Sequence, residues 1–396
     1  MTHTNPWLLP DGVEDLLPPM AGRIEALRRA LVDTYQRWGY DLITPPLIEY
    51  LESLLTGTGN ELNLQTFKLT DQLTGRMMGV RADMTPQAAR IDAHTLRRPG
   101  VTRLCYAGHV LRARPEHLMA SRAPIQTGCE LFGSRDGAAD QEIIHLMLET
   151  LKVAGLESIH LDLAHVSIYQ CLADAAGLSR QTEEAVFDAL RRKSIPELDE
   201  LLGDASAGSA AQMICRLARL GGGPDALKEA GKQLHQAPPA VMHALEELAQ
   251  VAEAVSRRFP QVSLGFDFCE LRGYNYHTGL VFAAYVPGHG SALAKGGRYD
   301  AIGEDFGRAR PATGFSADLR AMVALGQQVP LADENQKAIW APQRDDPELL
   351  QVVAELRQQE RVIQALAEDD VASARGRCDR QLVKQGNHWQ VIPLEN

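Results

Sequence analysis

Between about Ser167 and Pro260 the chain changes character, and this change restricts the folds open to it more than any other feature. Ala, Leu, Glu and Arg dominate the block, with apolar residues at helical spacing over Glu183 to Arg192, Ala210 to Leu220 and Val241 to Phe259. Gly203 to Gly208, Gly221-Gly222-Gly223-Pro224 and Pro238-Pro239 punctuate it. Strand-like runs lie on both sides: Thr102 to Arg114, the start of another at Cys129 to Gly133, and Ile159 to Ala164 before it, then Phe266, Phe268, Val281, Phe282, Tyr285 and Pro311 to Phe315 after it. The reading is one α+β domain over residues 1–326, its strand-rich halves separated by a helical insertion at about 167–260.

The flanks add detail. Met20 to Trp38 reads as a helix with Ile24, Leu27, Leu31 and Trp38 on one stripe and Gly39 at its stop. Asp41 to Pro46 reads as a short strand that its prolines confine to an edge or interface. Phe67-Lys68-Leu69 and Arg76 to Val80 form a hairpin, Gln141 to Ala154 an amphipathic helix, and Ser316 can cap a helix through Leu325. Residues 327–337 read as a linker. Residues 338–396 read as a small α/β domain with strands at Ala338-Ile339-Trp340, Val362 to Ala365 and Trp389 to Ile392, and a helix from Pro347 to Gln358.

Polar chemistry concentrates in a few places. From Phe266 to Asp300, Arg272, Tyr274, Tyr276 and His277 lie between apolar strand segments, and Lys295-Gly296-Gly297-Arg298-Tyr299-Asp300 follows. This fits a pocket floored by a sheet, or a buried sheet with one satisfied histidine. Thr85 can cap a helix that starts at Pro86, or meet a ligand together with Asp83. Gln126 and Glu130, four apart on a strand, share a face, which is either solvated or a grip for a cationic ligand. Arg112, Arg114 and Arg122 form a solvated basic face or an anion clamp, since guanidinium offers paired donors.

The totals remove some classes. A net charge of −11 runs against a binder of phosphate backbones. None of the six cysteines forms a C-x-x-C pair, so a zinc ribbon or thioredoxin-type site is not supported, and reduced core thiols are expected. No apolar run approaches the roughly 18 residues of a membrane span, and no signal peptide precedes Asn5-Pro6-Trp7, which makes the cytoplasm the default.

Taken in order, residues 6 to 326 resemble the catalytic domain of histidyl-tRNA synthetases, a class II aminoacyl-tRNA synthetase family. Gly39-Tyr40 with Pro46 and Glu49 resembles motif 1, and Tyr106 to Glu130 has the length of motif 2. Arg272-Gly273-Tyr274-Asn275-Tyr276-His277 resembles the histidine-specific Arg-Gly-Leu-Asp-Tyr-Tyr signature. Gly296-Gly297-Arg298-Tyr299-Asp300 resembles the glycine-rich signature after it, and Gly314 to Met322 sits where motif 3 belongs. The resemblance implies an antiparallel sheet flanked by helices, a homodimer, and a histidine pocket. In that pocket Glu130 would meet the imidazole, Asp83 and Thr85 the amino group, and Arg272 with Gln126 the carboxylate, with Arg112, Tyr276, His277 and Tyr299 around them. Asp83 replaces a Glu of the family and His277 a Tyr.

The ATP side departs further. Arg112 keeps the α-phosphate position, but Arg114 stands at the adenine-reading Glu, Pro124 at the stacking Phe, and Ala321 at the γ-phosphate Arg, with Arg320 where the family has Glu. Adenylation depends on positioning ATP and neutralising its phosphates, so little of it is expected. With these changes, the runs Glu270 to Gly279 and Phe306 to Phe315 resemble regulatory subunits of ATP phosphoribosyltransferase. That implies a subunit with no catalytic residues, metal or cofactor, assembled with a short-form catalytic subunit at the first step of histidine biosynthesis. It would activate that subunit and pass on feedback inhibition by L-histidine. The short C-terminal tail is not notably basic and argues against tRNA. The alternative is a divergent histidyl-tRNA synthetase or another amino-acid-activating paralogue.

Overall fold

The structure, a computed structural model, describes residues 7–56, 60–115, 120–203, 208–269, 276–304, 306–326, 337–364 and 376–394. The chain divides into two units, Met1–Leu17 with Leu27–Val329, and Pro18–Ala26 with Pro330–Asn396. Most of the expected linker, residues 327–336, lies outside the described residues.

In the first unit nine strands form one sheet. Their order is Asp41–Leu42, Thr102–His109, Ile125–Phe132, Ala312–Asp318, Ala294–Arg298, Leu280–Tyr285, His160–His165, Ser263–Asp267, Gly221–Gly222. Neighbours run antiparallel except at two junctions, where Asp41–Leu42 meets Thr102–His109 and His160–His165 meets Ser263–Asp267. Strands from before and after the helical block therefore interleave, and the two halves share one core.

All eight residues of Ile125–Phe132 are buried. The strand starts four residues earlier than the apolar run at Cys129 suggests, because Gln126 and Thr127 are polar yet enclosed. One sheet face is covered by Gly137–Val153, by Pro239–Arg258, and by the part of Met20–Arg37 that carries Leu27, Leu31 and Tyr35. On this side the Tyr35 hydroxyl lies 3.2 Å from Thr127 Oγ1, and Arg103 grips Glu142 through two bonds of 2.7 and 2.8 Å.

The other face carries a cluster of Met84, Ala88, Leu104, Tyr106, Phe132, Tyr299 and Ala312. The helix Thr85–Arg90 runs on into a π-helical stretch, Ile91–Leu96, which ends at Arg97 with φ 48°. That wider turn carries Asp92, which Arg310 Nη1 meets at 2.7 and 3.0 Å.

Two caps differ from expectation. Thr85 is the first helical residue, not the cap, so its hydroxyl is free for other work. Ser316 lies within a strand, and Asp318 caps Leu319–Leu325 by accepting from Arg320 N at 2.9 Å. The helical block holds more helices than its periodicity reveals: Val166–Ala175, Ile195–Leu202 and Asp225–Gln233 join the three expected ones.

In the second unit four strands run in the order Val362–Gln364, Ala338–Ala341, Cys378–Gln385, His388–Pro393. Ile339, Ala341, Leu349, Val353, Leu382 and Trp389 form its core. Cys378–Gln385 is not expected from the sequence, because only Cys378 and Leu382 of its eight residues are buried. Gly386, with φ 63°, turns it back into His388–Pro393. The cysteines are all free, and among the described residues no helix is long and apolar enough to cross a membrane.

Candidate functional site

Glu130 is the centre of the site. It lies mid-strand in Ile125–Phe132 and is 1% exposed. Three hydroxyls converge on its carboxyl. Thr85 Oγ1 donates to Oε1 at 2.9 Å, Tyr106 donates to Oε1 at 2.8 Å, and Tyr299 donates to Oε2. Burial pushes its pKa up to about 8; the three hydroxyls pull the other way, and Asp83 adds to the rise. The carboxyl is therefore mostly protonated at neutral pH.

The opposite strand makes room for it. Gly314 pairs with Glu130 across the sheet, and a β-carbon there would overlap Glu130 Oε2. Gly297 pairs with Gly314 in turn, and a β-carbon on it would come within 2.9 Å of His277 Nδ1. Glycine at both positions keeps the sheet surface bare under the pocket.

Asp83 and Gln126 form the second group. Asp83 Oδ1 accepts from Thr85 N at 2.7 Å and from Gln126 Nε2 at 3.1 Å, and Gln126 Oε1 accepts from Met84 N at 2.9 Å. The Asp83–Thr85 turn is clipped to the sheet end by buried Arg81, which donates to His109 O at 2.8 Å and to Pro45 O at 2.6 Å.

The aromatic wall follows. Tyr276 stacks on Tyr299 at 5.0 Å and 22°, and meets the His277 ring edge-on at 5.2 Å. The Tyr276 hydroxyl is buried and has no hydrogen-bond partner among the described residues. His277 Nδ1 lies 3.2 Å from Arg298 O, so that nitrogen carries the proton and Nε2 keeps its lone pair. Burial pushes the His277 pKa down to about 4, which leaves the ring neutral.

Asp83, Thr85, Gln126, Glu130, Tyr276, His277 and Tyr299 are thus gathered on one side of the sheet. Arg272 lies outside the described residues. Arg112 sits near the Gln126 end, where Asp318 pairs with Gln126. Burial pushes the Asp318 carboxyl up, and its backbone N–H bonds and Arg112 partly oppose this.

In the arginine cluster, Arg122 is engaged by protein atoms while Arg114 is open to solvent. Arg122 donates to Arg112 O at 3.1 Å and Asp11 O at 3.2 Å and stands over the Phe67 ring. Arg320 is likewise engaged, with Ser121 Oγ, Ala123 O and Glu14.

Tyr106 is the functional side chain that sequence reasoning misses. Leu104 pairs with Glu130 and Tyr106 with Gly128, so Tyr106 reaches Glu130 along the diagonal. The signal lay in strand parity, but it needed the register of two strands.

The histidyl-tRNA synthetase family model matches residues 12–322, and that of the ATP phosphoribosyltransferase subunit HisZ C-terminal domain matches residues 336–392. An ATP phosphoribosyltransferase regulatory subunit from Marinobacter nauticus is 65% identical over 393 residues, covering 99% of each chain. Among solved structures, an ATP phosphoribosyltransferase regulatory subunit/histidyl-tRNA synthetase from Bacillus halodurans is similar at TM-score 0.79 and 26% identity, covering 93% of this chain and 96% of that one. A chain of the ATP phosphoribosyl transferase (HisG:HisZ) complex from Thermotoga maritima shares the fold at TM-score 0.58 and 17% identity, covering 75% of this chain and 97% of that one. With a class II synthetase-like domain followed by a HisZ-type C-terminal segment, the chain belongs to the family of ATP phosphoribosyltransferase regulatory subunits.

Proposed function

We propose that this chain senses L-histidine for a partner enzyme. It assembles with a short-form ATP phosphoribosyltransferase catalytic subunit, raises that subunit's activity, and lowers it again when histidine fills the Glu130 pocket. The observation that carries the reading is a buried carboxyl with hydroxyl partners only. Among the described residues Glu130 has three hydroxyls and no cation as hydrogen-bond partners, and the Tyr276 hydroxyl in the same pocket has none. An imidazole placed there takes the Glu130 proton and becomes the missing cation, so carboxylate and imidazolium form together. Asp83 and Thr85 take the amino group, and Gln126 with Arg272 the carboxylate.

The altered ATP positions favour regulation over adenylation, since Arg114, Pro124 and Ala321 stand where the synthetase resemblance expects the adenine-reading Glu, the stacking Phe and the γ-phosphate Arg. Assembly with the catalytic subunit is supported by the names of the relatives and by the Thermotoga maritima complex. The working form is a homodimer of synthetase-like domains within that larger assembly. Inhibition follows if histidine binds one state of the assembly more tightly than another, and it can be no stronger than that difference.

The test is to co-express the chain with a short catalytic subunit and follow phosphoribosyl-ATP formation with and without histidine. Activity above that of the catalytic subunit alone, inhibited by histidine in wild type and much less in Glu130→Ala, is the expected result. Equal inhibition of the Glu130→Ala assembly sinks the pocket assignment. Histidine-dependent exchange of pyrophosphate into ATP would replace the whole reading with a synthetase.

A further inference from the structure

Toward the far end of the same sheet, four strands from Glu130, a serine, a histidine and an aspartate are joined in a row. His160–His165 and Ser263–Asp267 run parallel, with His160 beside Ser263 and Asp162 beside Gly265, so these four positions share one face. His160 Nε2 lies 2.9 Å from Asp162 Oδ1, and His160 Nδ1 lies 2.8 Å from Ser263 Oγ. The Asp162 carboxylate can only accept, so Nε2 carries the ring proton and Nδ1 turns its lone pair to the Ser263 hydroxyl. Ile159 O, at 3.4 Å from Ser263 Oγ, is the poorer acceptor.

The neighbouring backbone makes room for the row. A β-carbon at Gly265 would overlap Asp162 Oδ1 and come within 2.7 Å of His160 Nε2, so glycine there leaves space for the carboxylate–imidazole bond. Ser263 N bonds Ile159 O at 3.1 Å, so the Leu264 N–H, one residue on, points to the opposite edge of its strand. Along that edge Gly221–Gly222 pairs only with Phe266 and Asp267. Ser263 and His160 are exposed, which opens the hydroxyl to a small molecule from solvent.

We propose that Ser263 is a nucleophile for activated acyl groups, with His160 as its general base and Asp162 holding the ring. Ser263 Oγ attacks the ester carbonyl and its proton passes to His160 Nδ1. The bond to the leaving alkoxide then breaks, and the alkoxide takes that proton from His160. The Leu264 N–H, from the residue after the nucleophile, is the donor offered to the oxyanion. Water, deprotonated in turn by His160, releases the acid and restores the hydroxyl. The substrate class is a small ester with a good leaving group, because the row is open to solvent. The assignment does not depend on what occupies the Glu130 pocket.

The full chain treated with 4-nitrophenyl acetate, and separately with a fluorophosphonate probe, tests it. Nitrophenolate is released faster than in buffer, and peptide mass spectrometry places the fluorophosphonate adduct on Ser263. Ser263→Ala removes both signals. His160→Gln slows both about a hundredfold, the lower end of what a positioned base contributes, and Asp162→Asn slows them too by releasing the ring tautomer. The mapping of the adduct on the wild-type chain needs no variant to fold. Three results overturn the proposal: adducts on other residues only, labelling of Ser263 at an unchanged rate in His160→Gln, or a wild-type chain that gains no adduct and releases nitrophenolate no faster than buffer.

Discussion

Asp92 and Glu130 are each 1% exposed, yet the protein holds them in opposite ways. Asp92 has an arginine on both oxygens, and Arg310 also reaches Gly100 O, Thr102 Oγ1 and Phe132 O. Burial pushes the Asp92 carboxyl up and Arg310 draws it back. Glu130 has hydroxyls only among the described residues, with another carboxylate, Asp83, nearby to push it further up. The first arrangement is complete and serves the fold. The second has no counter-charge among the described residues, which is the opening that the proposed ligand would fill.

The contrast can be broken in four ways, taken from the largest expected effect to the smallest. Glu130 titrates near 4.5 when unfolded and about 8 when folded, so its stabilising contribution is full below pH 4.5 and lost as pH rises through 8. The loss is roughly 5 kcal/mol, read by urea melts across that window, and Glu130→Gln should flatten it. A wild-type curve that already matches Glu130→Gln would mean that the carboxyl is not held as described.

Arg310→Ala strands the Asp92 charge and should cost about 3–5 kcal/mol. Adding Asp92→Asn to that variant should recover much of the loss in the same melts. No recovery would show that Arg310 acts through its carbonyl contacts instead.

His277 titrates in the opposite sense. Its folded pKa of about 4 lies below the ordinary 6.5, so its contribution is present above pH 6.5 and lost as pH falls through 4. His277→Gln should remove that acid-side loss, about 2 kcal/mol for a ring that remains partly exposed.

The smallest effect belongs to Tyr299→Phe, which deletes one donor to Glu130 at about 1 kcal/mol. It should also carry the Glu130 transition to higher pH. A shift to lower pH would reverse the role given to that hydroxyl.

Much of the fold was legible wherever one face of an element is apolar. The helix at Met20–Arg37 follows from the spacing of Ile24, Leu27 and Leu31, and the hairpin Phe67–Thr70 with Met77–Val80 from its turn residues. Legibility failed where burial and polarity part company. Ile125–Phe132 shows an apolar run only from Cys129, so its start rested on the Gln126–Glu130 spacing alone, and Cys378–Gln385 has almost no apolar pattern to show.

In the site, strand parity was enough to align Gln126 with Glu130. Finding Tyr106 required knowing which strands are neighbours. The arginines were the hardest to read, because Arg122 donates to main-chain carbonyls and Arg320 to Ala123 O, Ser121 and Glu14, partners that a sequence does not display. Thr85 illustrates a third limit, since a residue suited to capping a helix was drawn instead to a carboxyl 45 positions away.

The Ala294–Arg298 strand is a partition one peptide thick. Its Gly297 underlies the Glu130 pocket on one face, while the Arg298 side chain lines a cavity on the other and the Arg298 carbonyl holds His277. Sliding the strand by a single residue would trade these duties, putting a guanidinium where bare backbone is required. The partition is therefore bound to a single register, like a fixed bulkhead between the two faces.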